Sequence, residues 1–142
     1  MTVAQDILDA RENVRKLDPE STTSPWVVLG VDKNKLVLVG QGDDYENMLP
    51  LFKSDELMFG YAKIVTGDDM SKREKFVMIC WSGADVGLVK RGKMITLRAE
   101  VDEIFTQRAK VIEASDVADL TLESVKDQLI KAGGAAYGSS TS

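Results

Sequence analysis

The chain has 142 residues and a net charge of −5, from 18 Lys and Arg against 23 Asp and Glu. It has no histidine and one cysteine, Cys80, which excludes Ser-His-Asp and Cys-His catalysis, imidazole-bound metals, four-thiolate clusters and an intrachain disulfide. Hydrophobic residues at 44% and charged residues at 29% suit a single globular domain, and the acidic total argues against a general nucleic-acid binder.

The opening residues Met1 to Asp6 have no basic segment ahead of an apolar run. No apolar stretch approaches the roughly 20 residues of a membrane span, and position 2 is threonine, not the glycine of a myristoylation signal. With a lone thiol, this leads us to expect a cytosolic protein without a membrane partner.

Val3, Ile7, Ala10, Val14 and Leu17 recur at helical spacing, predicting a helix over Ala4–Lys16 that ends before Asp18-Pro19. Residues 20–25 are polar and read as a loop. Trp26–Val31 and Lys35–Gly40 read as strands joined by a turn at Asp32-Lys33-Asn34. Tyr45–Leu51 is expected to hold a short helix. Leu57–Val65 and Lys75–Trp81 are nearly continuous in apolar residues, as strands covered on both faces are. A polar hairpin tip, 66–74, joins them. Met94, Leu97, Val101, Ile104 and Phe105 form one stripe, predicting a helix over Lys93–Phe105. Lys110–Ala114 reads as a strand, and Thr121 as the N-cap of a last helix ended by Gly133-Gly134. The expected fold class is α/β or α+β, with a mostly antiparallel central sheet. One domain spans 1–137, and 138–142 is a frayed tail.

Most chemical motifs have simpler readings. Asp43-Asp44 and Asp68-Asp69 are turn acids without the spacing of a calcium loop. The glycines lack the Gly-Lys-Ser/Thr of a phosphate loop. Cys80 reads as a buried thiol, and Trp26 and Trp81 read as core. No enzyme activity and no cofactor are expected.

Charge is the informative feature. Lys72 to Arg98 holds seven basic residues and two acids, a net of +5, and leaves −10 elsewhere. Lys72, Arg73 and Lys75 surround the hairpin tip. Lys90, Arg91 and Lys93 approach the internal helix, with Arg98 along it. Together these cations are expected to form one basic surface for an acidic partner.

Two segments resemble the coactosin family. One is Thr66-Gly67-Asp68-Asp69-Met70-Ser71-Lys72-Arg73-Glu74-Lys75-Phe76-Val77 with Ile79-Cys80-Trp81; the other is Ile130-Lys131-Ala132-Gly133-Gly134-Ala135-Ala136-Tyr137. The Trp26-Val27 strand start fits the same pattern. The resemblance implies the actin-depolymerising-factor homology (ADF-H) fold: a mixed sheet of about five strands between helices. It implies binding to filamentous actin by a monomer without catalysis, in the cytoplasm and at the cytoskeleton. Carried over by motif, the actin-binding residues would be Lys72, Arg73 and Lys75 in the hairpin and Lys93-Met94 at the helix start, with Lys90, Arg91 and Arg98 beside it.

Lys93-Met94-Ile95 is closer to the ADF/cofilin pattern than to animal coactosins. Monomer binding with filament severing is therefore the alternative, and an ADF-H module contacting another cytoskeletal regulator is the third reading. Thr2, Val3 and Ala4 stand where cofilins carry a regulatory serine.

Overall fold

The computed structural model describes residues 4–16, 23–67 and 73–138. The elements are α1 (Gln5–Arg15), β1 (Trp26–Asp32), β2 (Lys35–Gly42), β3 (Leu57–Thr66), β4 (Arg73–Ser82), α2 (Leu88–Arg91), α3 (Met94–Ile104), β5 (Lys110–Ala114) and α4 (Leu122–Gly138). Short 3-10 turns occupy Tyr45–Asn47, Leu49–Leu51 and Val117–Leu120. The strands form one sheet in the order β2-β1-β3-β4-β5. All neighbouring pairs are antiparallel except β4 and β5, which are parallel. The mixed, mostly antiparallel α+β sheet matches the sequence reading.

Two cores sandwich the sheet. On one face α1 (Ile7, Ala10, Val14) and α3 (Leu97, Val101, Ile104) cover Leu29, Phe59, Tyr61 and Met78. On the other, α4 (Val125, Leu129) and the 3-10 turns cover Val28, Met58, Ile79 and Trp81. The near-continuous apolar runs of β3 and β4 follow from this, since both faces of the two strands are covered. Tyr61 anchors the first core, stacked on Phe105 at 4.4 Å and on Phe76 at 5.7 Å. Its hydroxyl donates to the Gln107 carbonyl.

Trp26, Trp81 and Tyr45, like Tyr61, satisfy their polar atoms on backbone. Trp26 Nε1 donates to Asp44 O, Trp81 Nε1 to Lys53 O and the Tyr45 hydroxyl to Leu120 O, at 2.7, 2.7 and 2.6 Å. Trp26 and Trp81 are thus core residues, as expected. Asp44 caps the first 3-10 turn by accepting from Glu46 N, and Thr121 caps α4 by accepting from Ser124 N at 3.2 Å.

Two expectations are corrected, and one element was not anticipated. The short helix over 45–51 is two 3-10 turns, divided at Met48 with Pro50 inside the second. The chain before α3 forms a separate short helix, α2, which the apolar periodicity did not indicate. Gly133-Gly134 does not stop α4, which continues to Gly138 and so includes the residue expected to begin a tail. A helical glycine costs about 1 kcal/mol relative to alanine, and Ala132, Ala135 and Ala136 around the pair are the strongest helix formers. Among the described residues no helix is long and apolar enough to cross a membrane.

Candidate functional site

At the end of β4 the chain makes a tight turn that positions everything after it. Gly83 N donates to Glu56 O at 3.1 Å and Asp85 N to Ser54 O at 2.8 Å, which pins this turn to residues 53–56. A Cβ on Gly83 would lie 2.1 Å from Ser54 O, so only glycine permits the approach. The turn leads into α2, and Gly92 and Lys93 connect α2 to α3.

The corner of α2 and α3 exposes three large apolar side chains within eight residues. Leu88, Val89 and Ile95 are 84%, 83% and 83% exposed. The remaining side chains there are mainly cationic. Lys90 Nζ donates to Asp55 O at 3.1 Å and pairs with Glu56 at 3.5 Å. Arg91 donates to Val86 O at 3.2 Å, and Arg98 pairs with Glu113 at 2.7 Å. Lys93 is exposed and occupies the N-cap of α3, with no side-chain cap. The helix dipole disfavours a cation there by a few tenths of a kcal/mol, so the helix gains nothing from this lysine. Met94 is half-buried against the core. Apolar groups ringed by charge are the usual surface of a protein–protein contact.

The hairpin cations lie elsewhere. Arg73 is exposed and Lys75 half-buried, on the sheet face that carries Ile64. Glu74 points to the other face and pairs at 3.4 Å with Lys63, a lysine only 2% exposed. Glu74 is thereby committed to a buried partner, and the hairpin presents Arg73 and Lys75 on one face. Lys72 lies outside the described residues, as do Asp68, Asp69, Met70 and Ser71.

The expectation of one basic surface is corrected by the register. Thr66 pairs with Arg73 at one end of the β3–β4 ladder and Leu57 with Ser82 at the other, where α2 begins. The ten residues of β4 therefore separate the two cationic groups by roughly 30 Å. The structure brings together Lys90, Arg91, Lys93, Met94 and Arg98, and leaves Arg73 and Lys75 at the far end. Sequence reading missed Leu88, Val89 and Ile95. Ile95 could have been found, because it is apolar and off the stripe of Met94, Leu97, Val101 and Ile104.

Cys80 lines a cleft of about 730 Å³ between α3, Ala84 and the 113–115 segment, yet it is only 4% exposed. Burial pushes its thiol up to about 11, the nearby Arg98 charge opposing this in part. Burial also raises the Tyr45 and Tyr61 hydroxyls. Cys80 is held neutral in the fold, so its contribution to stability is complete below the ordinary thiol value of 9.0 and is lost as pH rises through about 11, and the two tyrosines add to the loss only above their ordinary value of 10.0. The melting temperature should be level from about pH 7 to 8.5 and fall between about 9 and 11, with a shallower fall in Cys80→Ala. An equal slope in that variant would remove Cys80 from the account.

The sequence pattern of the cofilin/tropomyosin-type actin-binding proteins matches residues 1–130. Coactosin-like protein of Bos taurus is 34% identical over 86% of each chain. That of Rattus norvegicus is 37% identical over 79% of each, and coactosin of Dictyostelium discoideum 30% identical over 83% of each. The crystal structure of human coactosin-like protein superposes with a TM-score of 0.80 and 31% identity, over 89% of this chain and 95% of that one. Mouse coactosin, described as an actin filament binding protein, gives 0.73 and 33%, over 97% and 95%. Cofilin of Streptomyces griseoflavus, 15% identical, shares the fold at 0.75 over 92% and 97%. Matched along nearly its whole length, the chain belongs to the coactosin family of cofilin/tropomyosin-type actin-binding proteins.

Proposed function

We infer that the protein binds filamentous actin and regulates the cytoskeleton without catalysis, acting as a cytosolic monomer. The observation that carries this is the α2–α3 corner, where Leu88, Val89 and Ile95 stand exposed among Lys90, Arg91 and Lys93. Packing does not require three bare aliphatic side chains, and an acidic protein gains little internally by clustering cations beside them. An acidic filament supplies what both lack: burial for the apolar groups and counter-charge for the cations. Arg73 and Lys75 offer a second contact about one strand length away, which suits a partner wide enough to be touched at both ends of the sheet.

Monomer binding is the second reading, and Ile95 favours it. Its exposure makes Lys93-Met94-Ile95 an accessible docking edge of the ADF/cofilin type. Co-sedimentation with filaments, beside a titration of monomeric actin, separates the two. We expect the protein to pellet with filaments, leave filament mass unchanged and ignore monomers. Pelleting should weaken clearly between about 50 and 300 mM salt, because exposed charge contacts are screened over about 10 Å at 0.1 M. Monomer binding with loss of filament mass would instead establish the severing reading.

A further inference from the structure

The α2–α3 corner has a second flank, away from the Cys80 cleft. There the β1–β2 turn and the corner enclose a cleft of about 310 Å³. Three lysines line it from three separate elements: Lys33 from the turn, Lys90 from α2 and Lys93 from the start of α3. Among its described lining residues Glu56 is the one carboxylate, and it is already paired with Lys90. Neither the Lys33 nor the Lys93 side chain has a hydrogen bond or ion pair among the described residues.

Folding does not account for Lys33. Asp32 pairs with Lys35, so Lys33 and Asn34 form a two-residue turn. Both have positive φ, 49° and 66°, in the left-handed region that glycine and asparagine enter with least strain. A lysine at the first position is strained, and its charge adds to the repulsion among neighbouring cations. Strain and unpaired like charge at one cleft call for an external counter-charge.

We propose that this cleft receives a carboxylate-bearing side chain of the protein partner that docks on the corner, with Lys33 as an added contact. The proposal rests on the actin reading and extends its surface to the β1–β2 turn. A carboxylate fits better than a phosphate. The cleft offers single-point ammonium donors without an arginine fork, and Glu56 in its wall opposes a dianion more than a monoanion. Val31 and Leu97 supply an apolar lining for the methylenes of a glutamate.

The test is Lys33→Asn, which removes the charge and suits the turn better than lysine does. Filament co-sedimentation at low salt should weaken roughly three- to tenfold, while the melting temperature stays level or rises. Lys33→Arg should restore most of the binding. If Lys33→Asn binds filaments like the parent while Ile95→Asp does not, the cleft proposal falls and the actin reading stands. If neither change affects binding, the docking corner falls with it. If Lys33→Asn keeps its filaments and loses binding to phosphatidylserine vesicles, the occupant is a lipid surface and the proposal is overturned.

Discussion

Ile95→Asp is expected to reduce filament binding by at least about 30-fold, or about 2 kcal/mol, the loss typical of a central interface anchor. The side chain is 83% exposed, so its removal takes nothing from either core. Ile95 is the second residue of α3 after the Lys93 cap. An acid in a first turn gains from the helix dipole, so the variant should fold at least as well as the parent. The binding loss has two sources: the apolar contact disappears, and a carboxylate now stands among Lys90, Arg91 and Lys93 facing an acidic filament. Circular dichroism and thermal melting should be unchanged while co-sedimentation collapses. If pelleting persists at the parental level, the corner is not the docking face, and Arg73 and Lys75 would have to carry binding.

The elements along the chain and the burial of both sheet faces were largely legible because the signals are local and repeated; the strand order within the sheet was not. The apolar runs of β3 and β4, and the stripe of Leu97, Val101 and Ile104, each say which faces are buried. The elements that escaped notice lack such repetition. α2 has four residues, and its Leu88 and Val89 point to solvent, so the usual link between apolarity and burial fails there. Gly133-Gly134 misled because a weak propensity was read as a stop signal. The cations themselves were legible, but their grouping was not. Whether Arg73 lies near Lys93 depends on the β3–β4 register and on the end from which α2 departs. Lys33 was out of reach for the same reason. Its left-handed backbone follows from the pairing of Asp32 with Lys35, and its cleft joins it to Lys90 and Lys93, almost 60 residues away.

Gly83→Ala is expected to be the most destabilising small change in the molecule, because the methyl has nowhere to go. Its ideal position lies 2.1 Å from Ser54 O, 2.2 Å from Ser54 C and 2.6 Å from Lys53 O. All three are backbone atoms, so no rotamer change relieves the clash. Overpacking of this kind costs about 1–3 kcal/mol where neighbours can yield. Here the neighbours are tied by Gly83 N to Glu56 O, Asp85 N to Ser54 O and Trp81 Nε1 to Lys53 O, so about 3 kcal/mol is the expected size. The consequence reaches the α2–α3 corner, since displacing residues 53–56 also moves Asp55 and Glu56, the partners of Lys90. Filament binding should therefore fall even at temperatures where the variant is folded. Gly87→Ala is the matched control. It lies four residues on, at the cap of α2, with φ −74° and nothing within 4 Å of an added Cβ. Alanine fits that backbone, and its poorer capping, about 0.5–1 kcal/mol, is largely offset by the smaller backbone entropy that alanine loses on folding. A thermal melt of the two variants should show a large drop for position 83 and almost none for 87. Equal melting temperatures would mean that the 53–56 segment yields freely and does not fix the corner.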